Sequence, residues 1–370
     1  MDNQLSGSGC LLVTGCAGFI GFHLCKRLLT AGYSVVGIDS LTDYYDVSLK
    51  KARLRLLAPH SRFRFVHADL ADRKAAAIAF AGETYDAVIH LAAQPGVRYS
   101  MERPHAYIDS NIVAFAHVLD AVRERQVRHF LFASSSSVYG ADSPVPFSVH
   151  HPAEHPISLY AATKKSNELF AYAYSHLFGI PTTGLRFFTV YGPWGRPDMA
   201  YFIFAEKIMR GEAIDLYNFG DMRRDFTYID DAVEAVMRIL ALPPAADAPP
   251  EAPEPTAREM PQEAFATGPD VHYRQPSQPP VRSSFRPPFR LVNVGKGKPD
   301  TLLSMVEILE RVLGRRAEKR LLPLQPGDPV DTWADTSGLA ALTGFTPQTS
   351  LEAGLGQFAE WYLHEYINKR

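Results

Sequence analysis

Residues 15 to 21 read Gly15-Cys16-Ala17-Gly18-Phe19-Ile20-Gly21. The apolar run from Cys10 to Thr14 precedes them and predicts a buried strand, while His23 to Leu29 has helical spacing. Strand, glycine-rich turn and helix in this order are the context that a dinucleotide-binding fingerprint requires. The first glycine permits the tight turn, the second lets the main chain approach a pyrophosphate, and the third lets helix and strand pack closely. The sequence therefore predicts a dinucleotide site at the N-terminus of this helix, where unpaired N–H groups favour an anion.

The acidic residue that should follow such a unit is Asp39. It ends a second apolar run, Tyr33 to Ile38, at the spacing of the residue that binds the ribose hydroxyls of NAD. The first Lys or Arg after Asp39 is Lys50, so no cation close to Asp39 is offered to the 2′-phosphate of NADP. Glycines that only make turns are the alternative interpretation. The strand, the helix and Asp39 together favour a dinucleotide site, and we predict NAD as the cofactor.

Composition excludes several function classes. The chain has 370 residues, enough for one large α/β unit or two lobes, and a formal net charge of −2. No basic patch or tail stands out, so we expect neither nucleic acid nor a membrane surface as a partner. No apolar stretch is long enough to span a bilayer, and no signal peptide is recognisable, which makes the cytoplasm the expected location. The three cysteines, Cys10, Cys16 and Cys25, are expected to be buried thiols in a reducing compartment, with no metal site.

Strand-like and helical patterns alternate through the first half of the chain. This alternation predicts a parallel sheet wrapped by helices, whose ligands bind beyond the carboxyl ends of the strands. Asp69 follows the third predicted strand and is a candidate for the adenine side of the cofactor, and Ala92 and Ala93 are candidates for close main-chain approach. Beyond the first two strands, the predicted elements are the strands Phe63–Ala68, Asp86–Leu91 and His129–Ala133 and the helix Ser110–Arg125.

A proline-rich segment interrupts this pattern. Residues 243–288 hold 13 of the 28 prolines, and proline disfavours the interiors of both helices and sheets. We predict that residues 243–289 form a flexible surface insertion. Ordered structure is expected to resume with a strand and a turn at Arg290–Gly295. Two helices should follow, from Thr301 as N-cap to Gly314, and from Leu351 to Tyr366.

Tyr160 and Lys164 are the residues that indicate chemistry. They lie four residues apart, so a helix places them on one face. A lysine ammonium beside a phenol stabilises the phenolate and lowers the pKa of the phenol, which then exchanges a proton with a substrate hydroxyl near neutral pH. The cluster Ser134 to Ser137 follows the predicted strand at 129–133 and offers hydroxyls to the same substrate oxygen. A Tyr and a Lys four residues apart can also lie on a solvated helix face without any role in catalysis. The dinucleotide fingerprint favours the catalytic interpretation.

Further motifs complete a recognisable pattern. They are Asp43-Tyr44-Tyr45-Asp46, the stretch from His90 to Ser100 that begins His90-Leu91-Ala92-Ala93, the stretch from Leu185 to Met199 that contains Arg186-Phe187-Phe188 and Trp194-Gly195-Arg196-Pro197-Asp198-Met199, and Arg224-Asp225-Phe226-Thr227-Tyr228-Ile229-Asp230-Asp231. With these motifs the chain resembles the extended short-chain dehydrogenases/reductases and, within them, the NAD-dependent UDP-glucuronate 4-epimerase group. The glycine and Tyr/Lys motifs specify only the superfamily, whereas the run from Arg186 to Met199 is more specific to the glucuronate group.

The resemblance implies the architecture. It implies an α/β fold with a Rossmann-type doubly wound parallel sheet, and an NAD-binding domain over residues 1–187. Residues 188–370 would form a smaller mixed α/β lobe that binds the UDP-sugar. Helices beginning near Pro104 and Tyr160 resemble those of the family's dimer, so a homodimer is expected.

The resemblance also implies a reversible 4-epimerisation of UDP-glucuronate to UDP-galacturonate through a transient 4-keto sugar, with NAD held throughout. The product would feed polysaccharide biosynthesis. The implied catalytic residues are Ser135, Tyr160 and Lys164, with the other serines of 134–137 left open. The implied cofactor-binding residues are Gly15, Gly18, Phe19, Ile20, Gly21, Asp39, Asp69, Leu70, Leu91, Ala92, Ala93, Asn111, Ser134, Tyr160 and Lys164. The implied substrate-binding residues are Arg98, Ser100, Ser136, Ser137, Thr189, Arg196, Asp198, Met199, Tyr217, Arg224, Gln325 and Asp328.

The sequence leaves alternatives open for the substrate and for the reaction. Thr189 and Gln325 stand where many UDP-galactose epimerases have Asn and Arg, which argues against plain UDP-glucose, although another UDP-hexose or UDP-pentose stays open. Related dehydratases and UDP-glucuronate decarboxylases carry acidic residues after the catalytic Ser/Thr, where this chain has Ser136 and Ser137. A non-catalytic NAD-binding regulator on the same fold is the remaining alternative, against which Ser135, Tyr160 and Lys164 speak.

Overall fold

The computed structural model describes residues 9–141, 143–246, 286–324 and 330–368. Three predictions fall wholly or mostly on other positions. Residues 247–285, which make up most of the predicted proline-rich insertion, lie outside the described residues, and so do Gln325 and Asp328.

The strands are numbered in chain order. They are β1 (Cys10–Thr14), β2 (Ser34–Asp39), β3 (Phe63–His67), β4 (Ala87–His90), β5 (His129–Ser135), β6 (Thr182–Phe187), β7 (Thr189–Tyr191), β8 (Ile214–Leu216), β9 (Arg223–Arg224), β10 (Phe226–Tyr228), β11 (Phe289–Val294), β12 (Asp300–Thr301), β13 (Lys319–Leu321) and β14 (Asp331–Thr332).

The α-helices are numbered in the same way. They are α1 (Phe19–Thr30), α2 (Val47–Leu57), α3 (Arg73–Phe80), α4 (Tyr99–Glu102), α5 (Pro104–Tyr107), α6 (Ala114–Arg125), α7 (Leu159–Phe178), α8 (Ala200–Arg210), α9 (Ile229–Leu240), α10 (Leu302–Leu313), α11 (Ser337–Thr343) and α12 (Leu351–Trp361).

The central sheet has seven parallel strands in the order β11-β6-β5-β4-β1-β2-β3. The order reverses at β1, where the chain runs outward first to β2 and β3 and then to β4, β5 and β6. This reversal creates a crevice beyond the carboxyl ends of β1 and β4, the place where open α/β sheets bind ligands. The fold confirms the predicted Rossmann-type doubly wound sheet.

Both faces of this sheet are covered by apolar side chains. Because side chains alternate along a strand, Leu11 and Val13 of β1 enter one core cluster while Leu12 enters the other. The first cluster includes Phe22 from α1 and continues into the C-terminal half of the chain, whereas the second includes Phe115 from α6. Near-continuous apolar strands are the sequence signature of such a doubly covered parallel sheet.

The C-terminal half of the chain also contributes short sheets of its own. β7 pairs with β10, β8 with β13, and β9 lies between β12 and β14. β11 instead pairs with β6 as the edge strand of the central sheet. The position of the domain boundary, after residue 187, stays a prediction.

The predicted helices are present, with two local differences. Thr301 caps α10 by accepting from the Ser304 N–H, and Gly314 ends it in the left-handed conformation, as predicted. The helices expected at Ser110–Arg125 and Leu351–Tyr366 each contain a π-helical segment, at 108–113 and 362–367. Within the described part of the chain, no helix combines the length and apolarity that a membrane crossing needs.

Candidate active site

The glycine loop between β1 and α1 is shaped for close approach of a phosphate. Gly15 has a φ of +72°, and a Cβ on Gly15 would lie 2.7 Å from the Ala92 nitrogen. A Cβ on Gly21 would lie 2.0 Å from the Gly15 carbonyl oxygen. Helix α1 begins at Phe19, and Gly18 at its N-cap has no side chain to bond the first N–H groups. The loop therefore exposes main-chain donors at a helix N-terminus, which suits a pyrophosphate.

Two carboxylates lie at the carboxyl ends of β2 and β3. Asp39 is buried, and it accepts hydrogen bonds from the Ala17 N–H at 3.0 Å and the Leu41 N–H at 2.8 Å. Its bond to Ala17 fixes it against the glycine loop. Asp69 accepts from the Ala71 N–H at 2.9 Å. The main chain thus orients both carboxylates, and their positions fit the ribose and adenine side of a dinucleotide.

One cavity runs from the glycine loop to the end of β5 and the start of α7. It collects most of the residues predicted to bind a cofactor or substrate. Among its lining residues are Gly15, Gly18, Phe19, Ile20, Gly21, Asp39, Asp69, Leu70, Leu91, Ala92, Ala93, Ser134, Ser135, Tyr160, Lys164, Arg196 and Met199.

Sequence reasoning missed several residues of this cavity. Lys50 lines it, although its ammonium donates to the carbonyl and hydroxyl oxygens of Thr42 at 2.7 and 2.8 Å. Tyr44 and Tyr45 line it too. The two tyrosines are part of a motif that the sequence shows, but the motif alone does not predict that their side chains line the cavity.

Tyr160 and Lys164 lie in the first turns of α7. Ser158 starts this helix by accepting from the Ala161 N–H, which places Tyr160 and Lys164 at the end of β5. Lys164 is buried and donates from Nζ to the Ala133 carbonyl oxygen at 2.9 Å. Ser135 donates from Oγ to the Ser137 hydroxyl at 3.0 Å and accepts from the Ser137 N–H at 3.2 Å.

The pKa values of Tyr160 and Lys164 are shifted by burial, and the direction for Tyr160 differs from the one that the sequence predicts. Burial raises the pKa of the Tyr160 phenol above its ordinary value, while a hydrogen bond with Ser135 and the charge of Arg196 act to lower the pKa. Burial lowers the pKa of Lys164 to about 8. The pKa of Tyr160 is thus raised, opposite to the direction expected from Lys164 alone. The ammonium is engaged with Ala133, and Ser135 and Arg196 are the groups that favour the phenolate.

Arg196 forms the far wall of the cavity together with Met199. Its Nε lies 3.0 Å from Oδ1 of Asp198 and its Nη2 lies 2.6 Å from Oδ2. The Tyr44 hydroxyl also donates to Asp198, at 3.1 Å. Despite partial burial, the Arg196 charge and these hydrogen bonds hold the pKa of Asp198 below its ordinary value. The arginine is thus paired with Asp198 and carries its charge beside Tyr160.

The other predicted residues lie outside the lining of this cavity. The guanidinium of Arg98 stacks over the Tyr217 ring at 4.7 Å. Arg224 donates to the Val330 carbonyl oxygen at 2.7 Å. The Ser100 hydroxyl donates to the Val97 carbonyl oxygen at 2.5 Å.

The remaining predicted residues, Asn111, Ser136, Ser137 and Thr189, also lie outside the lining of the cavity. Asn111 accepts from the Gln94 N–H at 2.8 Å and donates to the Thr163 hydroxyl at 3.0 Å, which supports the cavity wall from behind. Ser136 and Ser137 begin the short 3₁₀ turn after β5, and Thr189 begins β7. Within the described ranges, no group of three His, Cys, Asp or Glu side chains lies close enough to hold a metal ion.

The arrangement suits proton transfer beside a bound dinucleotide. A phenol, a serine hydroxyl and an ammonium converge at the carboxyl end of β5, and the glycine loop opens into the same cavity. General acid–base catalysis needs such a group within hydrogen-bond reach of the substrate hydroxyl. The site can therefore assist oxidation and reduction at a carbon that carries a hydroxyl group.

Comparison with known proteins gives a consistent result. The sequence pattern described as the NAD dependent epimerase/dehydratase family matches residues 11–251. The chain is similar to a protein of Rhizobium meliloti named "Probable UDP-glucuronate 4-epimerase", with 46% identity over 96% of this chain and 97% of the relative. It is similar to UDP-glucuronate 4-epimerase 4 of Arabidopsis thaliana, with 41% identity over 96% of this chain and 76% of the relative.

A solved structure resembles the fold over nearly its whole length. It is the UDP-glucuronic acid 4-epimerase of Bacillus cereus, in complex with UDP-glucuronic acid and NAD. The similarity has a TM-score of 0.77 and 31% identity, and it covers 95% of this chain and 98% of that one.

Proposed function

The chain belongs to the NAD dependent epimerase/dehydratase family, and from this membership we propose that it interconverts UDP-glucuronate and UDP-galacturonate by inverting C4 of the sugar with bound NAD. The enzyme is an NAD-dependent UDP-glucuronate 4-epimerase. One observation carries the proposal at the level of residues. Tyr160 and Arg196 line the same cavity as the glycine loop, so a proton-transfer group and a carboxylate-binding group face one cofactor site.

The residues of the glycine loop fit NAD. The uncapped N-terminus of α1 would hold the pyrophosphate, Asp39 the adenosine ribose, and Asp69 the adenine side. Gly15 and Gly21 leave the space that side chains would fill. When bound, NAD supplies the chemistry that the side chains lack, taking a hydride from C4 and returning it.

Tyr160 is the proposed acid–base. Its phenolate takes the proton from the 4-hydroxyl and returns it after the transient 4-keto sugar has turned in the site. Ser135, whose hydroxyl acts to lower the pKa of Tyr160, would orient the same substrate oxygen. Lys164 keeps a positive charge beside the site below its pKa of about 8. General acid–base catalysis by one such residue contributes roughly 10²- to 10⁴-fold to the rate.

Arg196 is the proposed partner of the C5 carboxylate. A guanidinium matches a carboxylate in a planar, two-pronged geometry, and Arg196 stays charged on the cavity wall. Thr189, Ser136 and Ser137 would offer further hydroxyl groups to the sugar. The other proposed substrate residues of the described chain are Arg98, Ser100, Asp198, Met199, Tyr217 and Arg224.

Epimerisation is favoured over decarboxylation by the serine run. Ser136 and Ser137 follow Ser135 at positions where related decarboxylases and dehydratases carry acidic residues. A 4-keto uronate is a β-keto acid that loses CO₂ readily. A site with serines at positions 136 and 137 is better suited to returning the hydride.

We also propose that the protein is a homodimer. Helix α7 exposes Leu169, Phe170, Leu177 and Phe178, an apolar surface that a second copy of the chain would cover. The buried or half-buried free thiols Cys10, Cys16 and Cys25 suit a reducing compartment, which supports a cytoplasmic location.

The decisive experiment is an NMR time course of the purified protein with UDP-glucuronate and catalytic NAD. We expect a mixture of UDP-glucuronate and UDP-galacturonate to form without accumulation of NADH. Unreacted UDP-glucuronate would contradict the substrate assignment and move it to another UDP-sugar. Release of CO₂ with a pentose nucleotide would contradict the argument from the serine run.

A further inference from the structure

Arg53 on α2 is fully buried between the glycine loop and the segment that precedes Arg196. Its Nη1 donates to the Ala17 carbonyl oxygen at 2.8 Å and to the Tyr45 hydroxyl at 2.7 Å. Its Nη2 donates to the carbonyl oxygens of Trp194 at 2.6 Å and Gly195 at 3.1 Å. One guanidinium therefore joins three stretches of chain that are far apart in sequence.

The way in which this charge is accommodated is unusual. Among the described residues, all four acceptors of Arg53 are neutral oxygens, and no carboxylate pairs with it. Burying a charge without a counter-charge is expensive unless hydrogen bonds compensate it closely. The forked geometry of arginine meets four acceptors here, a task that a lysine ammonium with its single nitrogen cannot reproduce.

The segment held by Arg53 needs such support. Trp194 has a φ of +58°, a conformation that non-glycine residues rarely adopt. Gly195 has no room for a side chain, because a Cβ would lie 1.7 Å from the Tyr201 hydroxyl. Arg53 holds both carbonyl groups of this strained turn, and Arg196 follows directly.

A second contact holds the same segment from the other side. Tyr45 accepts from Arg53, while the adjacent Tyr44 donates to Asp198, the partner of Arg196. The tyrosine doublet after β2 thus connects to both ends of residues 194–198. The glycine loop, the doublet and the Arg196–Asp198 pair form one continuous set of contacts with Arg53 at its centre.

We propose that Arg53 is a positioning residue that couples the glycine loop to residues 194–198, so that a dinucleotide on the loop fixes the orientation of Arg196 toward the UDP-sugar. The part that concerns the sugar rests on the proposed function. The coupling between the loop and the segment rests on the contacts alone. Arg53 lies outside the cavity lining and acts through Ala17 and Trp194.

The coupling is tested by measuring hydrogen–deuterium exchange of the full-length protein, in the oligomeric state in which it is purified, with and without NAD. In the unaltered protein, NAD should slow exchange of the amides in residues 194–199 as well as in the glycine loop. In Arg53→Lys, protection of the glycine loop should remain and protection of residues 194–199 should be lost. Equal protection of 194–199 in both proteins, or none in the unaltered protein, would overturn the coupling.

Kinetics test the consequence for the substrate. Arg53→Lys should raise KM for UDP-glucuronate about tenfold with a smaller change in kcat, and in an Arg196→Gln background it should raise KM no further. An additive effect in the double variant would overturn the route through Arg196. Arg290→Lys is the matched control, because Arg290 is a partly buried arginine that bonds Thr183 at the far edge of the sheet.

A second variant keeps the proposal testable if Arg53→Lys does not fold. Tyr45→Phe removes one acceptor of Arg53 and keeps the ring. It should give a weaker loss of NAD-dependent protection in residues 194–199, and unchanged protection would count against the proposal. If the unaltered protein binds NAD but leaves UDP-glucuronate unreacted, the proposed function fails while the exchange experiment still decides the coupling.

Discussion

Arg196 and Asp198 form a two-pronged ion pair on the wall of the cofactor cavity, with Nε 3.0 Å from Oδ1 and Nη2 2.6 Å from Oδ2. These contacts use two of the three nitrogens of the guanidinium. The pair is only partly exposed, so Asp198 already restricts the guanidinium of Arg196 before the UDP-sugar arrives. An arginine held in this way can recognise a carboxylate with little further ordering.

The first prediction concerns discrimination by Arg196. Arg196→Gln should lower the ratio of kcat/KM for UDP-glucuronate over UDP-glucose by roughly 10- to 100-fold, because a hydrogen bond to a charged group is lost. Steady-state kinetics with both nucleotides measure this ratio. Arg311→Gln serves as comparison, since Arg311 pairs with Glu352 on the surface and does not line the cavity. An unchanged ratio in Arg196→Gln would remove Arg196 from carboxylate recognition.

The second prediction concerns Tyr160. Tyr160→Phe should lower kcat by roughly 10²- to 10⁴-fold, because the proton acceptor is lost while the ring that lines the cavity remains. Binding of NAD, measured by calorimetry, should stay unchanged. Tyr174→Phe on the same helix is the control, since its hydroxyl bonds Asp120 away from the cavity. Turnover that survives in Tyr160→Phe would exclude Tyr160 as the acid–base.

The third prediction concerns the glycine loop. Gly21→Ala should weaken NAD binding at least tenfold and destabilise the fold by about 1–3 kcal/mol, because the new methyl group would overlap the Gly15 main chain. Gly356→Ala in α12 is the matched control, since a Cβ there meets no atom within 4 Å. An alanine in a helix is favoured over glycine by about 0.5–1 kcal/mol, so this control should be stabilised. Calorimetry and thermal unfolding distinguish the two, and equal behaviour would contradict the packing argument.

The parts of this structure that the sequence predicts are those determined locally. Strands β1 to β5 begin and end within two residues of the runs that predict them. The strands inside the sheet are covered on both faces and are therefore mostly apolar, whereas β3 at the edge is only partly buried. Thr301 and Gly314 bound α10 because a hydroxyl cap and a left-handed glycine act over one helical turn.

The parts that escape prediction depend on distant contacts. Tyr44 meets Asp198 across 154 residues, and Arg53 meets Trp194 across 141. The pattern of a single sequence carries no information about such pairings. The direction of the pKa shift of Tyr160 could not be predicted for the same reason, because burial by the assembled fold raises it more than Ser135 and Arg196 lower it.

The fourth prediction concerns association of two copies. Leu169 on α7 is 59% exposed, and Leu169→Glu should convert a dimer to a monomer by placing a charge in the apolar contact. Sedimentation velocity measures the mass. Ile78→Glu is the control, because Ile78 on α3 is 74% exposed and lies outside the proposed contact. A dimer that persists in Leu169→Glu would place the contact elsewhere.

The fifth prediction concerns acid sensitivity and rests on His90 and His129. Burial lowers the pKa of each to about 3 from an ordinary value of 6.5. Because the folded pKa lies below the unfolded one, the unfolded chain binds the extra protons between these values. Stability therefore falls as pH falls through 6.5, by about 1.4 kcal/mol per pH unit for each histidine. Urea unfolding at several pH values from about 7 to about 5 gives this slope.

The two histidines can be separated by substitution. The ring of His129 bonds the Leu240 carbonyl oxygen at 3.1 Å and the Thr183 hydroxyl at 2.9 Å, and an amide at this position keeps the potential for such bonds without titrating. His129→Gln should therefore reduce the pH slope of the free energy of unfolding by one proton, and His90→Gln should do the same. The double variant should lose two protons from the slope. A slope that stays the same in all three variants would mean that other groups control the acid sensitivity of the fold.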